Sequence, residues 1–207
     1  MQIKSEQLAY WYLRLNGFLT IPNFVVHPDR GSNQATDVDI FAVRFPYRGE
    51  NLANPMQDEE YFASVKEKSY IAIAEVKSTV CDLNLPWTDP KRQNMLRIIR
   101  ALGAFPEAES SLVSKSLYKH GVYSNHLYYV SLLCLGREQH SGIAQKYPLV
   151  PQILWTDVLR FIHKRFHEYR RQKKSHPQWD QVGCELWNVY QSNKDVNTFI
   201  ESITVSG

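Results

Sequence analysis

Two stretches of the chain decide the fold: residues 37–45 (DVDIFAVRF) and residues 69–78 (SYIAIAEVKS). Both consist mainly of β-branched, aliphatic and aromatic side chains, which favour strands. Strands that follow each other along a chain most simply pair antiparallel, so residues 46–68 become an elaborated hairpin connection between them. This connection is rich in Pro, Gly, Asn and acidic residues, and we expect one helical turn within it, around residues 58–66.

A helix and a short strand precede these two stretches. In residues 4–16 the apolar side chains repeat at helical spacing, and Asn16-Gly17 follows as a stop signal. Residues 23–27 are predicted as a short strand, which Pro22 restricts to the edge of a sheet or to a bend. Residues 28–36 are predicted to be mainly a polar loop.

The elements that follow indicate a crossover and then helices. Residues 91–103 (KRQNMLRIIRALG) form a basic amphipathic pattern, and residues 126–135 (HLYYVSLLCL) read as a buried strand. A strand–helix–strand order predicts that this last strand lies parallel to residues 69–78. A long helix over residues 155–174, opened by Thr156 as its cap, and a further helix around residues 180–191 complete the prediction.

The predicted fold class is therefore α/β, with a mixed sheet and a C-terminal helical extension. We expect residues 1–207 to form a single domain, in which residues 1–136 are the core and residues 150–205 the helical extension. Hydrophobic residues make up 43% and charged residues 22%, which argues against disorder.

The sequence also indicates in which cellular compartment the protein is expected. The three cysteines are an odd number at unrelated spacings, which excludes a disulfide scaffold. No apolar run approaches the roughly 18 residues that span a bilayer, and the first residues lack the apolar core of a signal peptide. We therefore expect a cytoplasmic protein with no membrane partner.

The residues that indicate chemistry are Asp39, Glu75 and Lys77. Glu75 and Lys77 are two apart on one strand, so their side chains project to the same face. If the two strands pair, Asp39 reaches Glu75, and two carboxylates meet beside an ammonium. Such a group suits a hard divalent cation such as Mg²⁺, although a solvated strand end with ordinary surface charges is the alternative.

These residues and their element order resemble the PD-(D/E)XK nuclease superfamily, which has a restriction-endonuclease-like fold. The resemblance covers roughly residues 1–136 and is carried by Asp39-Ile40-Phe41-Ala42 and Glu75-Val76-Lys77. It implies an α-β-β-β-α-β core, in which a helix, an antiparallel meander and a crossover helix precede a parallel strand. Val38 stands where the superfamily motif has proline, a position that varies widely.

By this resemblance, Asp39 and Glu75 would be metal ligands together with the carbonyl of Val76, and Lys77 would be the catalytic lysine. Glu6 matches a supporting glutamate that many members carry on the first helix. The cofactor would be Mg²⁺, with Mn²⁺ as a substitute. Asp37 is a rival ligand to Asp39, and the two remain alternatives at this stage.

The 36 residues that separate Asp39 from Glu75 make an unusually long gap for the motif. The insertion at residues 46–68 is therefore expected to form a loop or lobe over the site.

Basic residues suggest contacts to phosphates. The net charge is only +3, but residues 160–174 hold seven Lys or Arg against one Glu. A solvated helix face is the plain alternative for this run and for the basic face of residues 91–103. The candidate nucleic-acid-binding residues are Arg30, Arg97, Arg100, Lys164, Arg165, Arg170 and Arg171.

The expected function is that of a Mg²⁺-dependent hydrolase of phosphodiester bonds, most simply a DNA endonuclease of a defence, restriction or repair system. Antiviral defence falls within this range. The expected partner is nucleic acid, with a homodimer or a partner subunit as further possibilities. The alternatives are a nuclease-like subunit that binds nucleic acid without cleaving it, and an enzyme that cleaves RNA.

Overall fold

The computed structural model describes residues 1–27, 35–50, 52–175 and 180–207. The protein is a mixed α/β structure in which helices flank a mixed sheet. The strands of the described part are β1 (Gln2–Lys4), β2 (Leu19–Val26), β3 (Thr36–Arg44), β4 (Ser69–Val76), β5 (Val122–Ser124), β6 (Tyr128–Gly136), β7 (Gln152–Leu154) and β8 (Thr204–Ser206).

Helices lie on both sides of the strands. None of those in the described ranges combines the length and apolarity that crossing a bilayer requires. A 3₁₀ turn at Pro90–Arg92 leads into the fourth helix. The α-helices are α1 (Ser5–Leu15), α2 (Glu60–Ala63), α3 (Leu85–Thr88), α4 (Asn94–Leu102), α5 (Glu107–His120), α6 (Ser141–Lys146), α7 (Trp155–Glu168), α8 (Arg170–Ser175), α9 (Gln181–Ser192) and α10 (Val196–Glu201).

The main sheet has the strand order β2-β3-β4-β6-β5, with β7 also paired to β6. Strands β2, β3 and β4 form an antiparallel meander, while β4 and β6 are parallel. Both predicted pairings are therefore confirmed: residues 37–45 pair antiparallel with residues 69–78, and residues 126–135 pair parallel with them. Pro22 lies in β2, at the edge of the sheet, where its missing N–H does not interrupt an inner ladder.

Strand β4 separates two hydrophobic cores. The side chains of Tyr70, Ala72 and Ala74 join the core that contains α1 and α7. Those of Ile71 and Ile73 join the core that contains α4 and α5. Every β4 residue after Ser69 is buried, which explains why this strand is a nearly continuous apolar run.

The C-terminal helices pack onto the first helix and share its core. The predicted helix over residues 155–174 is two helices, because the chain leaves helical geometry at Tyr169 (φ −99°, ψ 22°). Its beginning also differs from the prediction: the N-cap is Leu154, and Thr156 lies inside the helix. The short strands β1 and β8 pair in parallel, and this pairing holds the start of α1 in place.

The insertion at residues 46–68 lies at the far end of the sheet from Asp39 and Glu75. It connects the end of β3 to the start of β4, and Glu75 is six residues beyond Ser69, a distance of about 20 Å along a strand. The expectation of a lobe over the site is therefore wrong. The insertion joins the end of β3 to the start of β4, whereas Glu75 lies near the end of β4. The insertion packs instead on α7, where its Asp58 pairs with Arg165.

Candidate active site

The Asp39 side chain reaches β4 at the point where the ladder between β3 and β4 ends. The last pair of that ladder is Ile40–Ala74, so the backbone of Val76 lies beyond it. The carboxylate Oδ2 of Asp39 accepts the Val76 N–H at 2.8 Å and thereby replaces a strand–strand hydrogen bond. A side chain of β3 is thus fixed beside the end of β4.

An irregularity in the pairing of β2 with β3 accompanies Asp39. The register between β2 and β3 omits the pair Asn23–Asp39, and Asn23 has the left-handed φ of +52°. Val38 and Phe41 belong to the same core although regular alternation places them on opposite faces, while Ile40 belongs to the other core. The alternation therefore breaks at Asp39. Such breaks redirect side chains and are common next to active sites.

Glu75 is the most deeply buried charged residue of the site. Its side chain is 1% exposed, and its Oε1 accepts a hydrogen bond from the Lys77 ammonium. Its Oε2 has no hydrogen-bond partner among the described residues. A buried carboxylate oxygen without a partner loses its hydration with no compensating hydrogen bond. A bound cation or a proton on this oxygen would offset that free-energy cost.

The loop after β4 supplies a residue that the sequence pattern does not indicate. The Lys77 ammonium also donates to Oδ1 of Asn84 at 3.2 Å. Between these two residues the loop is anchored by the Cys81 N–H, which donates to the Glu138 carbonyl at 2.8 Å. Gly136 makes room for the loop, since a Cβ at this position would lie 2.7 Å from the Cys81 nitrogen.

Both carboxylates of the site have a raised pKa. Burial raises the pKa of Glu75 to about 7, against the hydrogen bond from Lys77, and the charge of Asp39 adds to the rise. Burial likewise raises the pKa of Asp39, against the lowering by the Val76 N–H. Each group therefore holds its negative charge at a free-energy cost, which a cation would offset.

Lys77 stays protonated. Burial opposes its charge, but the hydrogen bond and charge of Glu75, together with the charges of Asp39 and Asp82, raise its pKa overall. A raised pKa excludes a neutral amine at neutral pH. Lys77 is therefore suited to neutralise negative charge rather than to remove a proton from water.

Glu6 lies on the first turn of α1, close enough that its charge raises the pKa of Asp39. Its Oε2 accepts a hydrogen bond from the hydroxyl of Ser5 at 3.2 Å. Glu6 also lines a hollow of about 420 Å³ with Tyr10 and Trp11 of the same helix. The structure thus places Asp39, Glu75 and Lys77 at the end of β4, and Glu6 acts on Asp39 through its charge.

Asp37 occupies a different position from Asp39. Its carbonyl accepts the indole N–H of Trp87 at 3.2 Å, while its charge contributes to the raised pKa values of Asp39 and Glu75. In the structure it is Asp39 whose carboxylate contacts β4.

The side chains of the site offer a small set of oxygen donors for Mg²⁺. Within the described residues, no group of three or more His, Cys, Asp or Glu side chains is placed to hold a metal ion. Mg²⁺ is nevertheless commonly held by one or two carboxylates, with water and substrate phosphate completing its shell. Asp39, the unpartnered Oε2 of Glu75 and the carbonyl of Val76 fit that smaller set.

The predicted nucleic-acid-binding residues differ from one another in exposure and in contacts. Lys164, Arg170 and Arg171 are exposed. Arg97 donates to the carbonyl of Arg92 at 2.8 Å. Arg100 is ion-paired with Glu107. Arg30 lies outside the described residues.

The prediction that Arg165 binds nucleic acid is wrong. It is 2% exposed, and its guanidinium donates to Oδ1 of Asp58 at 2.5 Å and to Oε1 of Glu50 at 3.3 Å. These contacts bury it inside the protein between α7 and the insertion. Arg165 is therefore a structural ion-pair residue and is not available to a substrate phosphate.

Comparisons of the chain with protein-family models, with curated proteins and with solved structures found no match.

Proposed function

We propose that this protein is a metal-dependent nuclease of the PD-(D/E)XK superfamily, with a restriction-endonuclease-like fold. The observation that carries the proposal is the meeting of Asp39 and Glu75 beside Lys77, with one buried carboxylate oxygen of Glu75 left without a partner among the described residues. The order of elements supports it. A helix, an antiparallel three-stranded meander, crossover helices and a parallel strand follow one another, and the two carboxylates lie on the inner strands β3 and β4.

The residues of the site would have separate roles in phosphodiester hydrolysis. Asp39, Glu75 and the Val76 carbonyl would hold Mg²⁺, for which Mn²⁺ can substitute. When bound, the ion polarises a phosphoryl oxygen and lowers the pKa of a bound water. The Lys77 ammonium, held by Glu75 and Asn84, places a positive charge where negative charge develops on the phosphate. Glu6 adds a carboxylate whose charge acts on Asp39.

The substrate class follows from the same site. We take DNA as the leading substrate and an endonuclease of a defence, restriction or repair system as the leading role, in the cytoplasm. This step is an analogy with the superfamily, since the site acts on a phosphodiester irrespective of pathway. A homodimer or a partner subunit is compatible with cleavage of both strands.

Cleavage assays test the proposal. The wild type, Lys77→Ala and the exposed-lysine control Lys115→Ala are incubated with plasmid, linear duplex, single-stranded DNA and RNA, in Mg²⁺, Mn²⁺ or EDTA. We expect metal-dependent cleavage by the wild type and the control, and a loss of about 10²-fold or more in Lys77→Ala. Cleavage by all three proteins alike would place the activity elsewhere, and an RNA-only result would move the substrate to RNA.

One observation favours a second function. The ammonium of Lys77 is paired directly with Glu75, and this pair reduces the charge available to a metal. A subunit that binds nucleic acid without cleaving it would retain such a pair. This alternative predicts that metal tightens DNA binding while no substrate is cut, and the assays above distinguish the two functions.

A further inference from the structure

Four large apolar side chains lie exposed near one end of the main sheet. They are Leu19 and Ile21 of β2, Phe45 directly after β3, and Tyr47 in the turn that follows, and each is between 54% and 87% exposed. Among the described residues, Phe45 and Tyr47 are the only exposed aromatic side chains. These four residues together define the apolar patch.

Three members of the apolar patch share one face of the main sheet. Leu19 lies opposite Val43 in the ladder between β2 and β3. Ile21 lies opposite Phe41 in the same ladder. Val43 and Phe41 pack against the core that contains α4 and α5, so Leu19 and Ile21 face the side of the sheet on which these helices lie. Phe45 follows Val43 by two residues, and the alternation of side chains along a strand places it on that side as well.

Helices α4 and α5 cover only part of this face. On the inner strand β4, Ile71 and Ile73 are buried in the core that these helices share with the sheet. On β3 the side chain of Val43 is half-buried, and on the edge strand β2 Leu19 and Ile21 are exposed. The apolar patch is therefore the margin of a buried sheet face that the described residues leave uncovered.

The exposed area of the apolar patch matches the apolar centre of a protein–protein interface. At their exposed fractions, two aromatic and two aliphatic side chains present roughly 400–500 Å² of surface. A standard interface buries about 800 Å² on each partner, of which somewhat more than half is apolar. Single exposed apolar residues are normal on a protein surface, whereas a contiguous patch of this size is characteristic of an interaction site.

A second copy of this chain fits the apolar patch better than nucleic acid does. The four side chains are uncharged, and nucleic acid requires cations opposite its phosphates. In a dimer with two-fold symmetry the same patch meets itself, so a charged patch would repel its copy, while an uncharged apolar patch can pack against it. Pairing through the edge of β2 is restricted, because Pro22 has no N–H to donate. The face of the sheet, rather than its edge, is the surface that a second copy can cover.

We propose that two copies of this chain form a dimer about a two-fold axis, with the apolar patch of one copy packed on the apolar patch of the other. The two patches together bury about 800–1,000 Å² of apolar surface, enough for the centre of a stable interface. The dimer does not depend on the nuclease activity proposed above, because its assembly is measured as a mass and not as cleavage.

Sedimentation equilibrium from about 1 to about 100 µM protein tests the proposal. The wild type is compared with Leu19→Glu/Phe45→Glu and with the control Leu112→Glu/Leu149→Glu, which adds the same charges at two other exposed leucines. We expect the wild type to have twice the mass of one chain at about 100 µM. The patch variant should associate at least about 100-fold more weakly, because each substitution enters a two-fold interface twice. The control should change the dissociation constant by less than about threefold.

A milder variant and a mixing experiment show whether patch meets patch. Ile21→Ser removes apolar area without adding charge and should weaken association about tenfold. Leu19→Lys/Phe45→Lys should be monomeric by itself, as the glutamate variant should be. A mixture of the two should associate at least about tenfold more tightly than either alone, because opposite charges then face each other. Circular dichroism spectra that match the wild type confirm that each variant folds.

A wild type that stays monomeric at about 100 µM overturns the proposal and leaves the apolar patch to a different protein. Equal association of the patch variant and the wild type, or an equal loss in the control, also overturns it. A mixture that associates no better than its components overturns the packing of like patches. If the wild type is a dimer that cuts nothing, the nuclease fails and the dimer stands; if it is a monomer that cuts nucleic acid, the dimer fails and the nuclease stands.

Discussion

The two ends of the main sheet both bury charge, but they satisfy it differently. At the insertion end, the Asp58 side chain is 6% exposed and accepts from Arg44 at 2.8 Å, Arg48 at 2.9 Å and Arg165 at 2.5 Å. At the other end, the Glu75 side chain is 1% exposed and is paired with one lysine. One of its two carboxylate oxygens has no partner among the described residues. At the insertion end the Nε of Arg165 also lacks one, although both terminal nitrogens of that guanidinium are paired with carboxylates.

This difference separates a structural cluster from the one that we propose to be functional. Buried charges that serve the fold are paired and hydrogen-bonded, because an uncompensated charge destabilises the folded state. A buried acid that keeps an unpartnered oxygen and a raised pKa indicates a site shaped for something that binds there. The insertion end thus holds the molecule together, and the Glu75 end is where we locate chemistry.

The largest expected effect is on stability, at the insertion end. Asp58→Ala leaves three arginines without their shared counterion and should lower the free energy of unfolding by about 3–5 kcal/mol. Urea unfolding at neutral pH measures this. Cleavage by the folded fraction should persist, since Asp58 pairs with Arg44, which lies opposite Tyr70, about 17 Å along β4 from Glu75. A change below about 1 kcal/mol would contradict a structural role for the cluster.

The second largest effect is on stability at the Glu75 end. Removing the acidic charge there should stabilise the protein, whereas removing Asp58 should destabilise it. The folded-state pKa of Glu75 is about 7, above an unfolded value of about 4.3. The folded state therefore binds more protons between these values, and stability falls as pH rises through this window. Asp39, whose pKa is also raised, contributes in the same direction.

Glu75→Gln removes the Glu75 contribution. In EDTA, its stability relative to the wild type should rise by about 1–3 kcal/mol between pH 4 and pH 8. Urea unfolding across this pH range is the measurement, and the exposed Glu60→Gln is the matched control. A relative stability that stays flat with pH would mean that the Glu75 carboxylate is not destabilised by burial.

A smaller effect distinguishes the two neighbouring aspartates. Asp39→Asn retains an acceptor for the Val76 N–H but loses a charged metal ligand, so we expect Mn²⁺ affinity to fall by at least about tenfold. Asp37→Asn should change it by less than about threefold, because only its charge acts on the site. Calorimetric titration of both variants decides this, and the reverse order would transfer the ligand role to Asp37.

The smallest effect concerns the exposed basic run. Lys164→Gln/Arg170→Gln/Arg171→Gln should weaken binding of nucleic acid modestly. The log–log slope of affinity against salt should fall by about 0.7–0.9 for each phosphate that these side chains neutralise in the wild type. Titrations at several salt concentrations measure this slope. A slope equal to that of the wild type would make these residues a solvated helix face.

The central strands and three site residues are predictable from sequence because their signals are local. Strands β3, β4 and β6 are apolar runs, and the alternation of side chains along a strand places Glu75 and Lys77 together. Asp39 follows once β3 and β4 pair. The break in alternation at Asp39 is not predictable, because it depends on the backbone of the neighbouring Asn23.

Long-range contacts account for the rest. Arg165 lies in the same basic run as Lys164, and only its contact with Asp58, 107 residues away, shows that it is buried. Helix α5 gives a weak sequence signal because its buried apolar residues are few, chiefly Val113 and Leu117. Asn84 lies in a loop with no pattern, and strands β1 and β8 consist of three residues each.

Metal-linked stability tests the central claim most directly. The unfolding midpoint is measured at pH 8 with Mn²⁺, with Mg²⁺ and with EDTA for the wild type, Glu75→Gln and Asp58→Asn. Ligands that bind only the folded state raise the midpoint by mass action. We predict that metal raises the midpoint of the wild type and of Asp58→Asn but not that of Glu75→Gln. No rise in the wild type, or an equal rise in Glu75→Gln, would contradict the assignment of Glu75 as a metal ligand.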